Sequence, residues 1–324
     1  MEMPFRPLNK ISKLYLKITD KAKYIKYKRQ VIYYKIDLNR TIKLNAVLAQ
    51  KTITNPDKIK ALAKVKGKIN FIHAGNAGDI IYALPTLKAI YKLTGVPINL
   101  YLLLDQPHGL DPMYTHPLGN VTLNLQMANM LTPLIDQLEY INSCLPYQSE
   151  EIDIKLDLFR ELPLLLDKGN IIRWYNYTTG ILPEVATPWL KATPSQNFSD
   201  KIVIARSQRY RNPHIDYNFL NKYKNLCFIG VKSEYEEIVQ CIPKIEFVEV
   251  SNFLQMAEII AGAAFFIGNQ SFPFSIAEAL KVPRILETSF EAPNVIPDGD
   301  NGFDFLLQEH FEWHVENLNQ RHRS

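Results

Sequence analysis

Two patterns of apolar and polar positions alternate along most of the chain from residue 68 onward. Short apolar runs have the length of buried strands, and the segments between them place apolar residues at helical spacing. The predicted strands cover residues 69–74, 98–104, 152–158, 202–205, 226–230, 247–250, 264–268 and 284–287. The predicted helices cover residues 79–93, 123–145, 234–240, 252–261, 275–280 and 303–318. Strands separated by helices predict parallel sheets joined by right-handed crossovers.

A proline-rich segment at residues 182–194 divides this pattern into two sets of strands and helices. One set on each side of a linker predicts an α/β protein with two Rossmann-like domains that face each other across a cleft. We place the first domain at residues 68–190 and the second at residues 191–305, with residues 306–324 as a closing helical segment. Residues 1–67 precede both domains as a basic helical extension.

The extension begins with the pattern of one amphipathic helix over residues 10–28. Its apolar positions are Ile11, Leu14, Tyr15, Ile18, Ala22 and Ile25, and its other side carries Lys10, Lys13, Lys17, Lys21 and Lys28. From residue 31 to residue 48 the pattern does not separate strand from helix. Residues 1–68 contain 18 Lys and Arg against 4 Asp and Glu, whereas the whole chain has a net charge of +4.

A basic segment on an otherwise acidic chain predicts an anionic partner for that segment. Two roles stay open: a solvated helix packed on the rest of the chain, or a helix lying on an anionic membrane surface. We do not expect nucleic acid as the partner, because no recognised binding motif accompanies the charge.

The composition favours a cytoplasmic protein. No window of the chain holds the roughly 18 apolar residues that a membrane-spanning helix needs, and lysines interrupt any secretory signal at the N-terminus. The three cysteines are far apart, show no metal-ligand spacing and indicate a reducing compartment.

The first motif that suggests chemistry follows the strand at residues 69–74. Gly75, Asn76 and Gly78 form a loop, and Asp79 then opens a helix. The loop is neither a dinucleotide fingerprint nor a P-loop, since GxGxxG and GK[ST] are both absent. Its glycines permit a tight turn at the carboxyl end of a strand, where open α/β sheets bind ligands. Asp79 is either a functional carboxylate or a helix-capping residue.

The second motif lies in the second set of elements, at residues 265–280. A strand runs into the polar turn Asn269, Gln270 and Ser271, and a helix with proline in its first turn follows. The free N–H groups and the dipole of a helix start can bind a phosphate. A plain strand-to-helix turn is the alternative.

Together the two motifs resemble the heptosyltransferase-type glycosyltransferases, which act in lipopolysaccharide synthesis and have the two-domain GT-B fold. Residues 78–81 and Leu84-Pro85 resemble the Gly-Asp-aliphatic-aliphatic and Leu-Pro elements of that family, and residues 267–283 resemble its second-domain motif. The segment from Gly230 to Glu234 resembles the nucleotide-contacting strand end. In this fold the last helix crosses back onto the first domain, so the resemblance predicts the same for residues 306–324.

The resemblance is incomplete at the second motif. The Asp-Ser/Thr-Gly of the family is Asn269, Gln270 and Ser271 here, and its histidine is Phe274. These changes leave phosphate binding possible, but they allow a member that has lost catalysis. The basic residue expected after the first strand of the second domain is Arg206.

The resemblance implies an inverting, metal-independent transfer of a sugar from a nucleotide-sugar donor to a glycan or lipid-linked acceptor in cell-surface polysaccharide synthesis. Asp79 would be the base, with no cofactor beyond the nucleotide-sugar substrate and no bound metal. The predicted donor-binding residues are Arg206, Gly230, Glu234, Asn269, Gln270 and Ser271. The alternatives are an inactive nucleotide-sugar binding protein of the same fold, a sugar-nucleotide epimerase, and a scaffold protein that binds nucleic acid or membrane through its basic extension.

Other polar residues give weaker signals. His108 and His116 lie in a long loop after residue 104, and Arg209 and Arg211 follow Arg206. These side chains are either solvated or face an anionic acceptor. Two aspartates at residues 298 and 300 have metal-binding spacing, but the proline and glycine around them predict a turn.

Overall fold

The computed structural model describes residues 5–108 and 119–323. Within it the chain forms two compact units, one made of residues up to Ile53 with Arg160–Leu164, and one made of Thr54–Phe159 with the chain from Leu165 onward. Most of the predicted loop at residues 105–120 lies outside the described residues. None of the described helices is both long enough and apolar enough to span a bilayer.

The first unit contains two helices, α1 (Lys10–Thr19) and α2 (Lys21–Ala49). The single helix predicted over residues 10–28 is therefore wrong, since it breaks at Asp20. The backbone of Asp20 is extended there, and its carboxylate accepts a hydrogen bond from the N–H of Lys23, which caps α2. The undecided region at residues 31–48 is helical. Phe5 packs its ring against Tyr27 and Tyr34 of α2.

The second unit begins with a four-stranded parallel sheet in the order β3-β2-β1-β4. Its strands are β1 (Ile69–His73), β2 (Ile98–Leu102), β3 (Ser143–Pro146) and β4 (Ile154–Lys155). The accompanying helices are α3 (Pro56–Lys66), α4 (Ala77–Thr94), α5 (Leu125–Ile135) and α6 (Ile171–Thr179). The predicted strands at residues 69–74 and 98–104 are confirmed.

Two predictions in this sheet are wrong. The helix predicted over residues 123–145 ends at Ile135, and its last residues form strand β3 at the sheet edge. The buried residues Leu138 and Ile141 support the turn between α5 and β3, so their helical spacing was misleading. The strand predicted over residues 152–158 is only two residues long, because a 3-10 helix begins at Leu156.

A six-stranded parallel sheet follows, in the order β10-β9-β8-β5-β6-β7. Its strands are β5 (Ile202–Ala205), β6 (Leu226–Phe228), β7 (Glu246–Phe247), β8 (Phe265–Asn269), β9 (Arg284–Glu287) and β10 (Gly302–Phe305). Its helices are α7 (Lys232–Cys241), α8 (Phe253–Gly262), α9 (Phe272–Leu280) and α10 (Gln308–Arg323). The two predicted sets of parallel strands are thus both present.

The end of the chain differs from the prediction. The helix predicted over residues 303–318 starts with strand β10, which pairs with β9, and only then becomes α10. The buried side chains of α10 are Phe311, Val315 and Leu318, and they belong to the core of the second sheet. Helix α10 therefore covers that sheet, in contrast to the expected return onto the first one.

Helices join the two sheets directly. Helix α4 packs against α9, and α5 packs against α8. The linker predicted at residues 182–194 is irregular and carries the buried Trp189, whose indole N–H donates to the carbonyl of Ile81 at 3.1 Å. The backbone N–H of Trp189 donates to the carbonyl of Ala279 at 3.0 Å. One linker residue is therefore bonded to both α4 and α9.

Candidate functional site

The starts of α4 and α9 meet. Each helix follows the carboxyl end of a central strand, β1 or β8, which is the edge of a parallel sheet where ligands bind. A methyl group added at Gly78, in the first turn of α4, would lie 3.8 Å from Cα of Phe272 and 3.8 Å from the hydroxyl of Ser275. Both sequence motifs therefore contribute to one place in the fold.

A second contact joins the same two edges. Nε2 of His108, in the segment after β2, lies 3.2 Å from Nη1 of Arg209, which follows β5. His116 lies outside the described residues. Arg211 forms an ion pair with Glu237 of α7 and donates through Nε to the carbonyl of Ser207. The arginines after β5 thus bind residues of the protein, and their predicted role toward an acceptor stays a prediction.

Asp79 occupies the third position of α4 and is partly buried. Its Oδ2 atom accepts a hydrogen bond from the backbone N–H of Asn76 at 3.0 Å. The carboxylate also lies in the first turn, where the helix dipole stabilises negative charge. The capping interpretation of Asp79 is therefore confirmed. The predicted catalytic role of Asp79 stays a prediction.

Gly75 packs tightly beneath this carboxylate. A methyl group added at Gly75 would lie 2.6 Å from Cε1 of His73 and 2.7 Å from Oδ2 of Asp79. These distances are well inside van der Waals contact, so a larger residue would push the histidine or the carboxylate away. The glycine that the sequence singled out at this loop therefore fixes the position of Asp79.

Two residues that the sequence did not single out support the start of α4. The ring Nδ1 of His73 accepts the N–H of Gly75 at 2.9 Å, and its Nε2 lies 3.0 Å from the hydroxyl of Tyr175. Because Nδ1 accepts, a neutral His73 carries its proton on Nε2 and donates it to the hydroxyl of Tyr175. That hydroxyl donates in turn to the carbonyl of Asp79 at 2.6 Å. The available sequence signal was a histidine that ends an apolar run just before a glycine loop.

Asn269 and Gln270 organise loops around the second motif. Oδ1 of Asn269 accepts the N–H of Ser207 at 3.0 Å, and its Nδ2 donates to the carbonyls of Ser207 and Arg209, each at 2.9 Å. Gln270 accepts the N–H of Ser289 at 2.8 Å and donates to Oδ1 of Asn294 at 2.7 Å. An aspartate at position 269 could not donate to two carbonyls. The amide found there therefore fits a loop-holding role.

Ser271 is the residue before the first turn of α9. Its hydroxyl lies 3.3 Å from the carbonyl of Asn269 and makes no capping bond to the helix. The first N–H groups of a helix have no partner within it and point outward with the positive end of the dipole. The predicted phosphate-binding role of Ser271 therefore concerns this helix start, which adjoins the first turn of α4.

Arg206 is held by a buried carboxylate. Its Nε and Nη2 atoms donate to Glu287 at 2.7 and 2.8 Å, and its guanidinium lies over the ring of Tyr217 at 4.4 Å. Glu287 is fully buried and also accepts from the N–H of Asn212 and the hydroxyl of Tyr217. The guanidinium predicted to hold a phosphate thus serves first to neutralise Glu287.

Gly230 follows β6, and Glu234 lies close to it in the first turn of α7. Gly230 has a φ of +148°, which favours glycine, and a methyl group there would lie 3.3 Å from Oε2 of Glu234. Burial raises the pKa of Glu234 to about 7, against the lowering effects of the Gln208 N–H and of Arg211. Glu234 therefore changes its charge near neutral pH.

A groove of about 650 Å³ opens between α5 and the start of α8. It is lined by Leu125, Gln126, Asn129, Met130, Pro133, Ser251 and Asn252. Residues of both sheet regions line it, and α5 and α8 follow the carboxyl ends of β2 and β7.

The turn predicted around residues 298 and 300 is confirmed. The carbonyl of Asp298 accepts hydrogen bonds there from the side chains of Lys281 and Arg284.

Two parallel sheets whose carboxyl edges meet through helix starts define a GT-B-type architecture. No protein-family model and no curated protein matches the sequence. The fold does match solved structures. A glycosyl transferase family 9 protein from Veillonella parvula aligns with a TM-score of 0.53 at 10% identity, over 78% of this chain and 97% of that one.

Two E. coli enzymes align in the same way. Heptosyltransferase WaaC with ADP gives a TM-score of 0.53 at 10% identity, over 78% of this chain and 99% of that one. ADP-heptose lipopolysaccharide heptosyltransferase II gives 0.51 at 12% identity, over 79% and 100%. The chain therefore has the fold of the heptosyltransferases, as the sequence resemblance predicted.

Proposed function

We propose that this protein is a glycosyltransferase that moves a sugar from a nucleotide-sugar donor to a glycan or lipid-linked acceptor. The packing of the first turn of α4 against the first turn of α9 is the observation that supports the proposal, because Asp79 belongs to the one turn and a helix start that can attract a phosphate belongs to the other. The likeness to heptosyltransferases supports the choice, and the WaaC structure with ADP makes a nucleoside diphosphate the donor group to test first.

Asp79 is the proposed base of an inverting, metal-independent transfer. It accepts the proton of the acceptor hydroxyl as that oxygen attacks the anomeric carbon and the nucleoside diphosphate leaves. An ionised carboxylate is a weak base, and such a base suits late proton transfer from a bound hydroxyl. The Asn76 cap, the packing of Gly75 and the hydroxyl of Tyr175 hold the first turn of α4, so Asp79 is pre-positioned.

The donor side of the proposal lies at the carboxyl edge of the second sheet. The start of α9 at Ser271 stabilises negative charge that develops on the leaving diphosphate. Glu234 accepts hydrogen bonds from ribose hydroxyls, beside the backbone of Gly230. Asn269 and Gln270 act indirectly in this scheme by holding the loops at residues 207–209 and 289–294, and Arg206 keeps the carboxylate of Glu287 neutralised behind them.

The cellular role that we propose is cell-surface polysaccharide synthesis at the inner face of a membrane. The resemblance to lipopolysaccharide sugar transferases supports it.

Metal independence of the transfer is tested by adding a chelator such as EDTA to the transfer assay. We expect no loss of turnover, and loss that Mg²⁺ or Mn²⁺ restores would contradict this part of the proposal.

The decisive experiment compares Asp79→Asn with the unchanged protein. Asparagine retains an oxygen that can accept the N–H of Asn76, so the helix cap is kept while the base is removed. We expect donor turnover to fall by about 10²- to 10⁴-fold, the range for loss of a general base. Nucleoside diphosphate affinity, measured by calorimetry, should change less than about twofold, which is under 0.5 kcal/mol. Unchanged turnover would exclude Asp79 as the base.

Binding without turnover is the second candidate function, and Asn269 favours it. The residue that replaces the aspartate of the resembling family uses its whole amide to hold backbone groups of residues 207 and 209. A nucleotide-sugar that binds the unchanged protein but is neither transferred, hydrolysed nor epimerised would establish this candidate. An epimerised sugar in the same product analysis would establish the epimerase alternative.

A further inference from the structure

Helix α1 presents its most apolar face to solvent. None of its ten residues is buried. The stripe formed by Ile11, Leu14, Tyr15 and Ile18 has exposed fractions of 81%, 58%, 69% and 74%. The partly covered positions of the helix are Ser12 and Leu16, on a different face. The apolar stripe therefore takes no part in the packing of the described residues, although an exposed apolar stripe on a soluble surface is unfavourable.

Lysines border this stripe on one side. Lys10, Lys13 and Lys17 recur at helical spacing next to the apolar positions. All three are exposed. An apolar stripe with adjoining long basic side chains is the pattern of a helix that lies in the headgroup region of a bilayer.

Helix α2 repeats the arrangement. Ile25, Ile32 and Ile36 share one helical face and are all exposed, with Lys28 and Arg29 beside them. Residues 10–49 contain eleven Lys and Arg and two Asp. One of these aspartates is the capping residue between the two helices, and the other lies near Arg40 at 3.4 Å.

We infer that α1 and α2 bind the surface of a bilayer that contains anionic phospholipids. A second copy of this chain would bring a helix pair of equal positive charge against the first, which opposes association through this face. Nucleic acid would neutralise the lysines but would leave the apolar stripe in water. An anionic bilayer satisfies both features, because its headgroups attract the lysines and its acyl boundary covers the isoleucines. This inference does not depend on transferase activity.

The test measures co-sedimentation of the full chain with phosphatidylcholine vesicles, with and without phosphatidylglycerol, over a series of salt concentrations. We expect binding only to the anionic vesicles, weakening as salt rises. Lys13→Gln with Lys17→Gln should lower the partition coefficient by about 30-fold, from about 1 kcal/mol per basic residue. Ile11→Ser with Ile18→Ser should lower it by at least about tenfold, since both side chains leave the acyl boundary.

The matched control replaces Val65 and Leu165 by serine, because both are exposed apolar residues outside α1 and α2. The control should bind vesicles as the unchanged chain does, and circular dichroism should show equal helix content in all variants. Absent binding, equal binding to both vesicle types, or binding that neither pair of substitutions weakens would overturn the inference. So would a dimer that light scattering shows to dissociate on Ile11→Ser with Ile18→Ser, or salt-dependent binding of duplex DNA in place of vesicles.

Discussion

Replacing Arg206 by methionine tests whether this residue mainly stabilises the fold or mainly binds a donor. The substitution keeps an apolar stem over the ring of Tyr217 but removes the charge that neutralises Glu287. Two hydrogen bonds of 2.7 and 2.8 Å are lost, and the Glu287 carboxylate stays fully buried. The structure therefore predicts a loss of stability even in the absence of any ligand.

The magnitude follows from the environment of Glu287. Removing one partner of a buried ion pair costs about 3 to 5 kcal/mol, because the remaining charge is uncompensated. The N–H of Asn212 and the hydroxyl of Tyr217 remain as donors to Glu287, which favours the lower end of this range. For a domain of this size, about 3 kcal/mol corresponds to a melting temperature roughly 6 to 12 °C lower.

The assay is urea unfolding at neutral pH, followed by far-ultraviolet circular dichroism, with nucleoside diphosphate affinity measured in parallel. The double variant Arg206→Met with Glu287→Gln removes both charges and should recover at least about half of the lost stability. If Arg206 also holds the diphosphate, the double variant will regain stability but will still bind the diphosphate more weakly than the unchanged protein. An unfolding free energy within about 0.5 kcal/mol of the unchanged protein for Arg206→Met alone would refute the reasoning.

Three further predictions concern the first turn of α4 and the end of β6. Tyr175→Phe removes two buried hydrogen bonds, so unfolding free energy should fall by about 1 to 3 kcal/mol, whereas Tyr177→Phe, at an exposed neighbour, should leave it unchanged in the same urea titration. Gly75→Ala should cost about 1 to 3 kcal/mol through overpacking against His73 and Asp79, and a crystal structure with both side chains unmoved would contradict this. Glu234 has a folded pKa of about 7, above its ordinary value of 4.5. The folded state therefore binds the extra proton, and stability should fall as pH rises from about 4.5 to about 7, by at most about 3 kcal/mol. Glu234→Gln should flatten this part of the pH profile, and a slope of equal size in that variant would show that another group is responsible.

The strands at the centre of each sheet could be predicted from the sequence because they are buried on both faces and read as continuous apolar runs. Strand β8 is an example, since the run at residues 264–268 matches Phe265–Asn269 within one residue. The edge strands β3 and β10 were missed because they lack this signal. Residues 143–146 and 302–305 are only partly apolar, and their pairing with β2 and β9 is set by contacts distant in sequence.

The candidate site also combines features that the sequence predicts with contacts that it does not. The loop from Gly75 to Asp79 could be predicted because its glycines, cap and helix start are adjacent in sequence. Its support by Tyr175 could not, because the hydroxyl reaches Asp79 across 96 positions of the chain. The ion pair of Arg206 with Glu287 spans 81 positions. A single sequence shows that a charged residue such as Arg206 follows a strand, but it does not show which residue of opposite charge lies beside it.

The bonds made by Trp189 constrain how the two sheets can move. Its indole N–H is bonded to α4 and its backbone N–H to α9, so separating these two helices requires breaking at least one of the bonds and exposing a buried indole to water. Any movement of one sheet relative to the other would therefore also displace the linker. The fluorescence of this tryptophan, isolated by replacing Trp174 and Trp313 with phenylalanine, provides a direct optical signal of that motion during turnover.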